Sequence, residues 1–193
     1  RKLLPGRGGA VKYIRVMIMG IPNVGKSTLI NTLAGKTLAK VGDEPAVTKM
    51  VSSAQQRIIL QDDIALSDTP GILWPKIVNE NSSYRLAITG AIKNTAIDFE
   101  DIAVFAADYL IDAYGDRVVD RYKLKQCPQT GIELLEELGR RRGCLRAGGI
   151  IDIQRASEIL IHEIRSGVLG PLSFETPEMI AKETLVEELE SND

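Results

Sequence analysis

The hydrophobic pattern near the start of the chain alternates between a strand signal and a helix signal. Tyr13–Met19 is a short apolar run rich in Val, Ile and Met, which predicts a buried strand. Gly20–Gly25 interrupts it, and Lys26–Ala34 then carries apolar residues at helical spacing, with Gly35 positioned to end the helix. The pattern therefore predicts a strand, a glycine-containing loop and a helix in direct succession.

The pattern further along the chain changes from mixed to purely helical. It predicts two more strands and four helices: Val51–Leu60, Ile64–Ser67, Tyr84–Thr95, Ile102–Tyr114, Glu133–Leu138 and Asp152–Arg165. Asp98 and Asp152 are candidate N-caps, and Gly167 can end the last helix. The pattern changes at about Val118, after which we find only helical signals, so we expect an α/β domain over residues 1–117 and a small all-helical domain over 118–175.

Composition and charge exclude some classes of protein and divide the second half of the chain. The 193 residues are 44% hydrophobic and contain two cysteines, which lack metal-site spacing. No apolar run approaches the roughly 20 residues of a membrane span. Residues 121–170 are net basic, whereas residues 171–193 hold one Lys and seven Asp or Glu. We expect residues 176–193 to form a flexible acidic tail. Because the chain opens on Arg1 rather than Met, we also expect an N-terminal truncation.

The loop between the first strand and helix matches the Walker A pattern G-x-x-x-x-G-K-[ST] at Gly20–Ser27. Its glycines allow backbone N–H groups to turn toward phosphate oxygens, and the following helix directs its positive end at the same anion. Lys26 supplies a charge to the β- and γ-phosphates, and the Ser27 hydroxyl can bind Mg²⁺. The expected nucleotide-binding residues are Pro22, Asn23, Val24, Gly25, Lys26, Ser27, Thr28 and Gly71.

A second motif, Asp68-Thr69-Pro70-Gly71, follows a predicted strand 42 positions after Lys26. The Asp68 carboxylate can hold Mg²⁺, and the Gly71 N–H can reach a γ-phosphate. Thr48 lies in the loop between the two motifs, and its hydroxyl can close over Mg²⁺ when a γ-phosphate is present. The order and spacing of these elements predict a nucleotide switch.

The position that often carries a water-orienting Gln in GTPases is Ile72 here, which cannot hydrogen-bond water. Another residue, a cation or a partner must therefore orient the water. Asn23 is a candidate ligand for K⁺ through its side-chain oxygen. The alternative is that Asn23 only satisfies backbone groups of the loop.

No guanine-reading Asn-Lys-x-Asp follows Asp68–Gly71. Two explanations stay open on the residues alone: the nucleotide is not GTP, or the guanine-reading motif lies upstream of Arg1 in a circularly permuted order.

The sequence closely resembles the circularly permuted ribosome-assembly GTPases of the YlqF/RbgA type over nearly its whole length. The resemblance rests on GIPNVGKSTLINTL at 20–33, DTPGILWPK at 68–76, RYKL at 121–124 and the long stretch at 142–174. It implies a Rossmann-like P-loop GTPase core, partial and in permuted order, followed by a small all-helical domain. It also implies late maturation of the large ribosomal subunit as the role, with GTP and Mg²⁺ as cofactors and K⁺ as a further candidate.

The resemblance carries over to individual residues as well. Lys26, Thr48 and Gly71 would be catalytic, Ser27, Thr48 and Asp68 would bind Mg²⁺, and Asn23 would suit the family's potassium dependence. The resemblance also implies a histidine upstream of the Walker A loop that takes part in hydrolysis, which His162 does not match. Residues 1–117 would then be the C-terminal part of a permuted GTPase domain.

Clustered arginines near glycines in the second half suit contacts to RNA phosphates. The candidates are Arg140, Arg141, Arg142, Arg146, Arg155 and Arg165. A solvated charged surface is the alternative. The expected partners are the large ribosomal subunit and its rRNA, and no DNA partner is expected. We expect a monomer located in the cytoplasm, or in mitochondria if the chain is organellar. A P-loop ATPase and an RNA-binding scaffold with a nucleotide switch are the rival functions.

Overall fold

The structure is a computed structural model that describes residues 14–35, 58–60, 64–67, 69, 71–73, 77, 79–92 and 98–190. It separates into two compact units. The first comprises residues 1–79 and 89–96, and the second comprises residues 80–88 and 97–193.

The first unit contains a three-stranded sheet and one helix. Its elements are β1 (Ile14–Met17), α1 (Lys26–Ala34), β2 (Ile58–Leu60) and β3 (Ile64–Ser67). The strand order is β1-β3-β2, with β1 parallel and β2 antiparallel to β3. Because β1 and β3 run in parallel with Met17 opposite Ser67, the loops that follow the two strands leave the sheet at the same end, beyond the carboxyl ends of the strands.

The helix α1 has the predicted bounds. Gly35 follows it in the left-handed conformation at φ +65° and donates its N–H to the Thr32 carbonyl, as the glycine stop signal predicts. Ile30 of α1 and Leu66 of β3 are fully buried and form one hydrophobic cluster. The partly buried Ile18 packs against this cluster. This contact anchors the helix after the glycine loop to the sheet.

The prediction that the first strand is buried is wrong for this chain. Ile14, Val16 and Met17 of β1 are 45%, 38% and 54% exposed. The reason is that β1 is an edge strand among the described strands and pairs only with β3 there. Of the predicted strand Val51–Leu60, only Ile58–Leu60 falls within the described residues.

The second unit consists of helices. These are α2 (Glu80–Ile88), α3 (Phe99–Tyr122), α4 (Gly131–Arg142), α5 (Ile153–Arg165) and α6 (Pro177–Glu190). Helices α3, α4 and α5 pack on one another, and α2 packs on α3. The fully buried side chains Leu110, Leu134, Leu138 and Leu160 form much of this core. Asp98 and Asp152 cap α3 and α5 by accepting backbone N–H bonds, as predicted.

Two predicted helix boundaries differ from the structure. The helix predicted at Tyr84–Thr95 begins earlier and ends at Ile88, because Gly90 takes a left-handed φ of +75°. The helix predicted to end at Tyr114 does lose helical geometry there (φ −139°, ψ 28°), but α3 resumes and continues to Tyr122. The expected domain boundary at residue 117 therefore lies inside a helix.

Helix α6 occupies most of residues 176–193, where the acidic composition predicted a flexible tail. Its Glu183 accepts hydrogen bonds from Arg85 at 2.5 and 2.9 Å and from Asn81 at 3.0 Å, both on α2. Arg85 is buried, so this carboxylate, with the more distant Glu175 at 3.9 Å, neutralises a charge that burial would otherwise penalise. At least one acidic residue of this segment, Glu183, therefore forms a specific ion pair instead of only being solvated. Among the helices that the structure describes, none is long and apolar enough to cross a membrane.

Candidate nucleotide-binding site

The Walker A loop turns through two left-handed residues. Asn23 has φ +57° and Gly25 has φ +88°. Glycine adopts this conformation without steric cost, and asparagine tolerates it better than most residues. Left-handed residues among right-handed ones direct successive backbone N–H groups into a concave surface that binds anions. The local geometry therefore agrees with a phosphate-binding loop.

Lys26 folds back over this loop. It is buried, and its Nζ donates to the Ile21 carbonyl oxygen at 2.7 Å. A Cβ added at Gly20 would lie 3.6 Å from the Lys26 Cδ, so the lysine stem runs close over Gly20. The ammonium is thus held against the loop rather than extended into solvent, which suits a charge meant for a bound phosphate.

Asn23 is tied to the segment that follows α2. Its Nδ2 donates to the Gly90 carbonyl oxygen at 2.7 Å. Because an amide nitrogen must face this carbonyl, the bond also fixes the direction of the Asn23 Oδ1. The sequence does not indicate this pairing, because Asn23 and Gly90 are 67 positions apart and no local motif marks it.

The segment after β3 lies against the Walker A loop. The Thr69 hydroxyl donates to the Ile18 carbonyl at 2.5 Å, and the Ile72 N–H donates to the Gly20 carbonyl at 3.2 Å. A Cβ added at Gly71 would lie 2.5 Å from the Pro22 nitrogen, so only glycine fits there without a backbone shift. The structure therefore brings Thr69, Gly71 and Ile72 against the Walker A loop.

Some of the other predicted ligands lie within the described residues and others do not. Ser27 is half-buried in the first turn of α1, while Val24, Thr28 and Ile72 are exposed. Thr48 and Asp68 lie outside the described residues, so their proposed Mg²⁺ roles stay predictions. Within the described part of the chain, no cluster of three or more His, Cys, Asp or Glu could hold a metal. The described polar groups here are hydroxyl, amide and ammonium, which suit a site completed by nucleotide phosphates.

Four of the six candidate RNA-binding arginines form ion pairs within the second unit. Arg140 pairs with Glu136 and Glu137, Arg141 lies 3.9 Å from Glu137, Arg146 pairs with Asp152, and Arg142 pairs with Glu163. All four side chains are more than a third exposed. Arg155 is exposed on α5.

Arg165 has a different kind of partner. Its Nε donates to the Ile88 carbonyl at 2.9 Å and its Nη2 to the Ala87 carbonyl at 2.7 Å, so it caps the last turn of α2. His162, predicted to be structural or on the surface, is exposed on the same helix.

Glu163 is the centre of a network that no motif in the sequence indicates. Its carboxylate accepts hydrogen bonds from Arg121, Tyr122 and Arg142. Burial by itself raises the pKa of Glu163, but the Arg121 hydrogen bond and the Arg142 charge outweigh it, so the net pKa lies below its ordinary value. Burial and the nearby carboxylate raise the pKa of Tyr122. The network joins α3, α4 and α5 and has a structural role.

Comparisons with known proteins agree with the motifs. Ribosome biogenesis GTPase A of Bacillus cereus is 46% identical over 184 residues, which is 95% of this chain and 60% of that protein. Its counterpart in Thermotoga maritima is 34% identical over 180 residues, or 93% of this chain and 63% of that protein. The chain thus spans about 60% of the length of the curated relatives it matches.

Solved structures match as well. The GNP-bound YlqF from T. maritima superimposes with a TM-score of 0.63 at 31% identity, covering 86% of this chain and 60% of that one. The family model described as "50S ribosome-binding GTPase" matches residues 15–137, which include the Walker A loop, the Asp68–Gly71 motif and α3. The chain therefore contains a P-loop GTPase domain and belongs to the family of 50S ribosome-binding GTPases.

Proposed function

We propose that this chain is the phosphate- and magnesium-binding part of a GTPase that assists late maturation of the large ribosomal subunit. The observation that carries the proposal is the packing of the Gly71 segment on the Walker A loop, with Lys26 folded over that loop. Relatives named ribosome biogenesis GTPases at 34–46% identity support guanine as the base and ribosome assembly as the setting.

In this proposal, the Walker A backbone and Lys26 bind the β- and γ-phosphates of GTP. Ser27, Thr48 and Asp68 bind Mg²⁺, and the Gly71 N–H contacts the γ-phosphate. Asn23 provides an oxygen for K⁺, which would help to position the attacking water because Ile72 cannot. The bond from Asn23 to Gly90 supports this role, since it orients the amide.

We also propose that the GTPase domain is circularly permuted, with its guanine-reading residues earlier in the order than the Walker A loop. The exposed apolar side of β1 supports this arrangement. In doubly wound folds the strand before the phosphate loop is usually central in the sheet, with neighbours on both sides. Among the described strands β1 has one neighbour only, which leaves its other edge open to a further strand of the domain.

The proposed rRNA surface, here named the arginine tip, contains Arg140, Arg141, Arg146 and Arg155. It also contains the tight turn between the bridged residues Leu145 and Ile151. The Arg146 N–H donates to the Ile150 carbonyl, which closes the turn. The exposed arginines offer phosphate contacts, and Leu145 and Ile150 are exposed between them. Arg140, Arg141 and Arg146 pair with carboxylates that are themselves partly exposed, and such pairs are weak enough for phosphates to replace.

The working cycle follows from these parts. GTP and Mg²⁺ order the Thr48 and Gly71 segments, that state binds the immature subunit, and hydrolysis releases the protein. Because Ile72 leaves water positioning to other groups, basal turnover is low and ribosomal particles stimulate it. We propose a monomer that works in the cytoplasm, since the matched relatives include bacterial ribosome biogenesis proteins.

The experiment compares Lys26→Ala with Lys125→Ala, an exposed lysine outside the site, as the matched control. Lys26→Ala should abolish GTP hydrolysis and leave immature large subunits to accumulate in cells, while Lys125→Ala behaves like wild type. A scaffold that needs no nucleotide cycle would support normal assembly despite Lys26→Ala. Competition between GTP and ATP for the whole protein separates a GTPase from an ATPase, and preference for ATP would refute the proposal.

A further inference from the structure

Two arginines meet at one oxygen of Glu163. The Oε1 atom of Glu163 accepts a hydrogen bond from Arg121 Nη2 at 2.9 Å and another from Arg142 Nη2. Two hydrogen bonds to one oxygen place the two nitrogens no more than about 6 Å apart. The last turns of α3 and α4 therefore present a pair of neighbouring guanidiniums, Arg121 and Arg142, here named the arginine clamp.

The carboxylate that holds the arginine clamp is itself fixed. The Glu163 side chain is only 10% exposed, and its Oε2 accepts from Arg121 Nε and from Tyr122 Oη, both at 3.1 Å. Arg121 thus makes two parallel bonds to the carboxylate, the bidentate geometry that fixes a guanidinium most firmly. If either arginine turned away, the buried carboxylate would lose part of its compensating charge. Burial of Glu163 therefore keeps both guanidiniums in place.

The outer side of the arginine clamp is open to a ligand. The side chains of Arg121 and Arg142 are 35% and 40% exposed. Each guanidinium has five N–H donors, and the Nη1 groups of both arginines bond to no residue in the part of the chain that the structure describes. Two guanidiniums and one carboxylate carry a net charge of +1. An anion with several oxygens matches this charge and these donors.

We propose that the arginine clamp binds a backbone phosphate of RNA and that Glu163 is the positioning residue that holds both guanidiniums ready for it. This inference rests on the proposed function, in which the helical unit binds ribosomal RNA. It adds Arg121 to the binding surface and gives the buried carboxylate a role in recognition. Arg142 directly follows Arg140 and Arg141 of the arginine tip on α4, so a strand with successive phosphates fits better than a single phosphate.

Glu163 and Glu137 have opposite effects on RNA in this proposal. Glu137 is partly exposed and pairs with Arg140, so it competes with a phosphate for that arginine. Glu163 contacts the clamp from the buried side and leaves the outer donors free. Ordering one long side chain on binding costs about 2- to 10-fold in affinity. Without Glu163, RNA has to order two arginines, which lowers its affinity by at least about 5-fold.

The test measures the Kd of purified large-subunit rRNA on the whole protein by filter binding at one fixed salt concentration. Glu163→Gln and the matched control Glu137→Gln each make the net charge more positive by one, so charge alone predicts tighter binding by both. The clamp predicts that Glu163→Gln binds at least about 5-fold more weakly, whereas Glu137→Gln binds as tightly as wild type or more tightly. Equal responses of the two variants overturn the clamp.

A second pair of variants separates recognition from stability. Tyr122→Phe removes one hydrogen bond from Glu163 and leaves both arginine bonds, so the Kd of rRNA should stay within about 2-fold of wild type. A loss as large as that of Glu163→Gln would show that the network only stabilises the fold. Arg142→Lys keeps the charge but loses the planar fork, and it should weaken rRNA binding by about 5-fold. An unchanged Kd refutes the clamp, and this variant decides if Glu163→Gln does not fold.

Free phosphate is the other source of the same chemistry. Inorganic phosphate at micromolar concentration, compared with chloride at equal ionic strength, should not displace the rRNA, and displacement would refute RNA as the ligand. Failure of the clamp and failure of the proposed function also give different results. If wild type binds rRNA but Glu163→Gln responds as Glu137→Gln does, only the clamp is refuted. If wild type binds no large-subunit rRNA, the proposed rRNA-binding role is refuted as well.

Discussion

Replacing Glu163 by glutamine removes the charge at the centre of the α3–α4–α5 network and keeps the size of the side chain. The carboxylate accepts from Arg121 Nε at 3.1 Å, Arg121 Nη2 at 2.9 Å, Tyr122 Oη at 3.1 Å, and Arg142. Its side chain is only 10% exposed. The amide nitrogen of glutamine would face hydrogen-bond donors, so the two guanidiniums would lose their shared counter-charge.

The size of the effect follows from burial. Breaking a fully buried ion pair costs about 3–5 kcal/mol. The Arg121 and Arg142 side chains are 35% and 40% exposed, so water recovers part of this loss. We expect Glu163→Gln to lower the free energy of unfolding of the helical unit by about 2 kcal/mol. Glu137→Gln, which removes an exposed partner of Arg140, should cost less than about 1 kcal/mol.

The difference between wild type and Glu163→Gln should depend on pH. The pKa of Glu163 is lower in the folded protein than its ordinary value of 4.5, so folding favours the charged form. The stabilisation is complete above the unfolded pKa and is lost as pH falls through the lower folded pKa. Glutamine does not titrate, so the gap between the two proteins should narrow below about pH 4.5.

Urea unfolding followed by helical circular dichroism at pH 7 and at several acidic pH values measures both effects. Glu163→Gln and Glu137→Gln are compared with wild type under the same conditions. An equal, small loss in both variants would show that the network adds nothing beyond surface pairs. A gap that stays constant down to pH 3 would show that Glu163 has no depressed pKa.

Two further predictions concern the other contacts described above. Gly71→Ala places a Cβ against the Pro22 backbone, so it should weaken binding of a GTP analogue more than binding of GDP; equal weakening, measured by fluorescence titration, would contradict the γ-phosphate role of Gly71. Glu183→Gln removes a charge partner of the buried Arg85, so α6 amides should exchange hydrogen faster at pH 7. Wild type should show the same loosening of α6 in acid, because Arg85 holds the pKa of Glu183 below its ordinary value. Unchanged exchange in α6 would refute the second prediction.

Local signals in the sequence determined the elements that position the nucleotide site. The glycine pattern and the following helical spacing predicted the Walker A loop and the bounds of α1, because a tight turn needs Gly25 in a left-handed conformation and Gly35 ends the helix. Side-chain caps are equally local, so Asp98 and Asp152 were recognisable as helix starts. Motif order also predicted that the segments at Gly20 and Gly71 would meet, since parallel strands end at one sheet edge.

Only the tertiary structure decided which distant groups pair. Nothing near Asn23 indicates that its amide binds the Gly90 carbonyl, and nothing near Arg165 indicates that it caps α2. An arginine has the same sequence signature whether it binds RNA, a carboxylate such as Glu163 or a helix terminus, because all three are oxygen acceptors. The choice depends on which acceptor the packing of the helices brings within about 3 Å, and that packing is set by the whole core rather than by neighbouring residues.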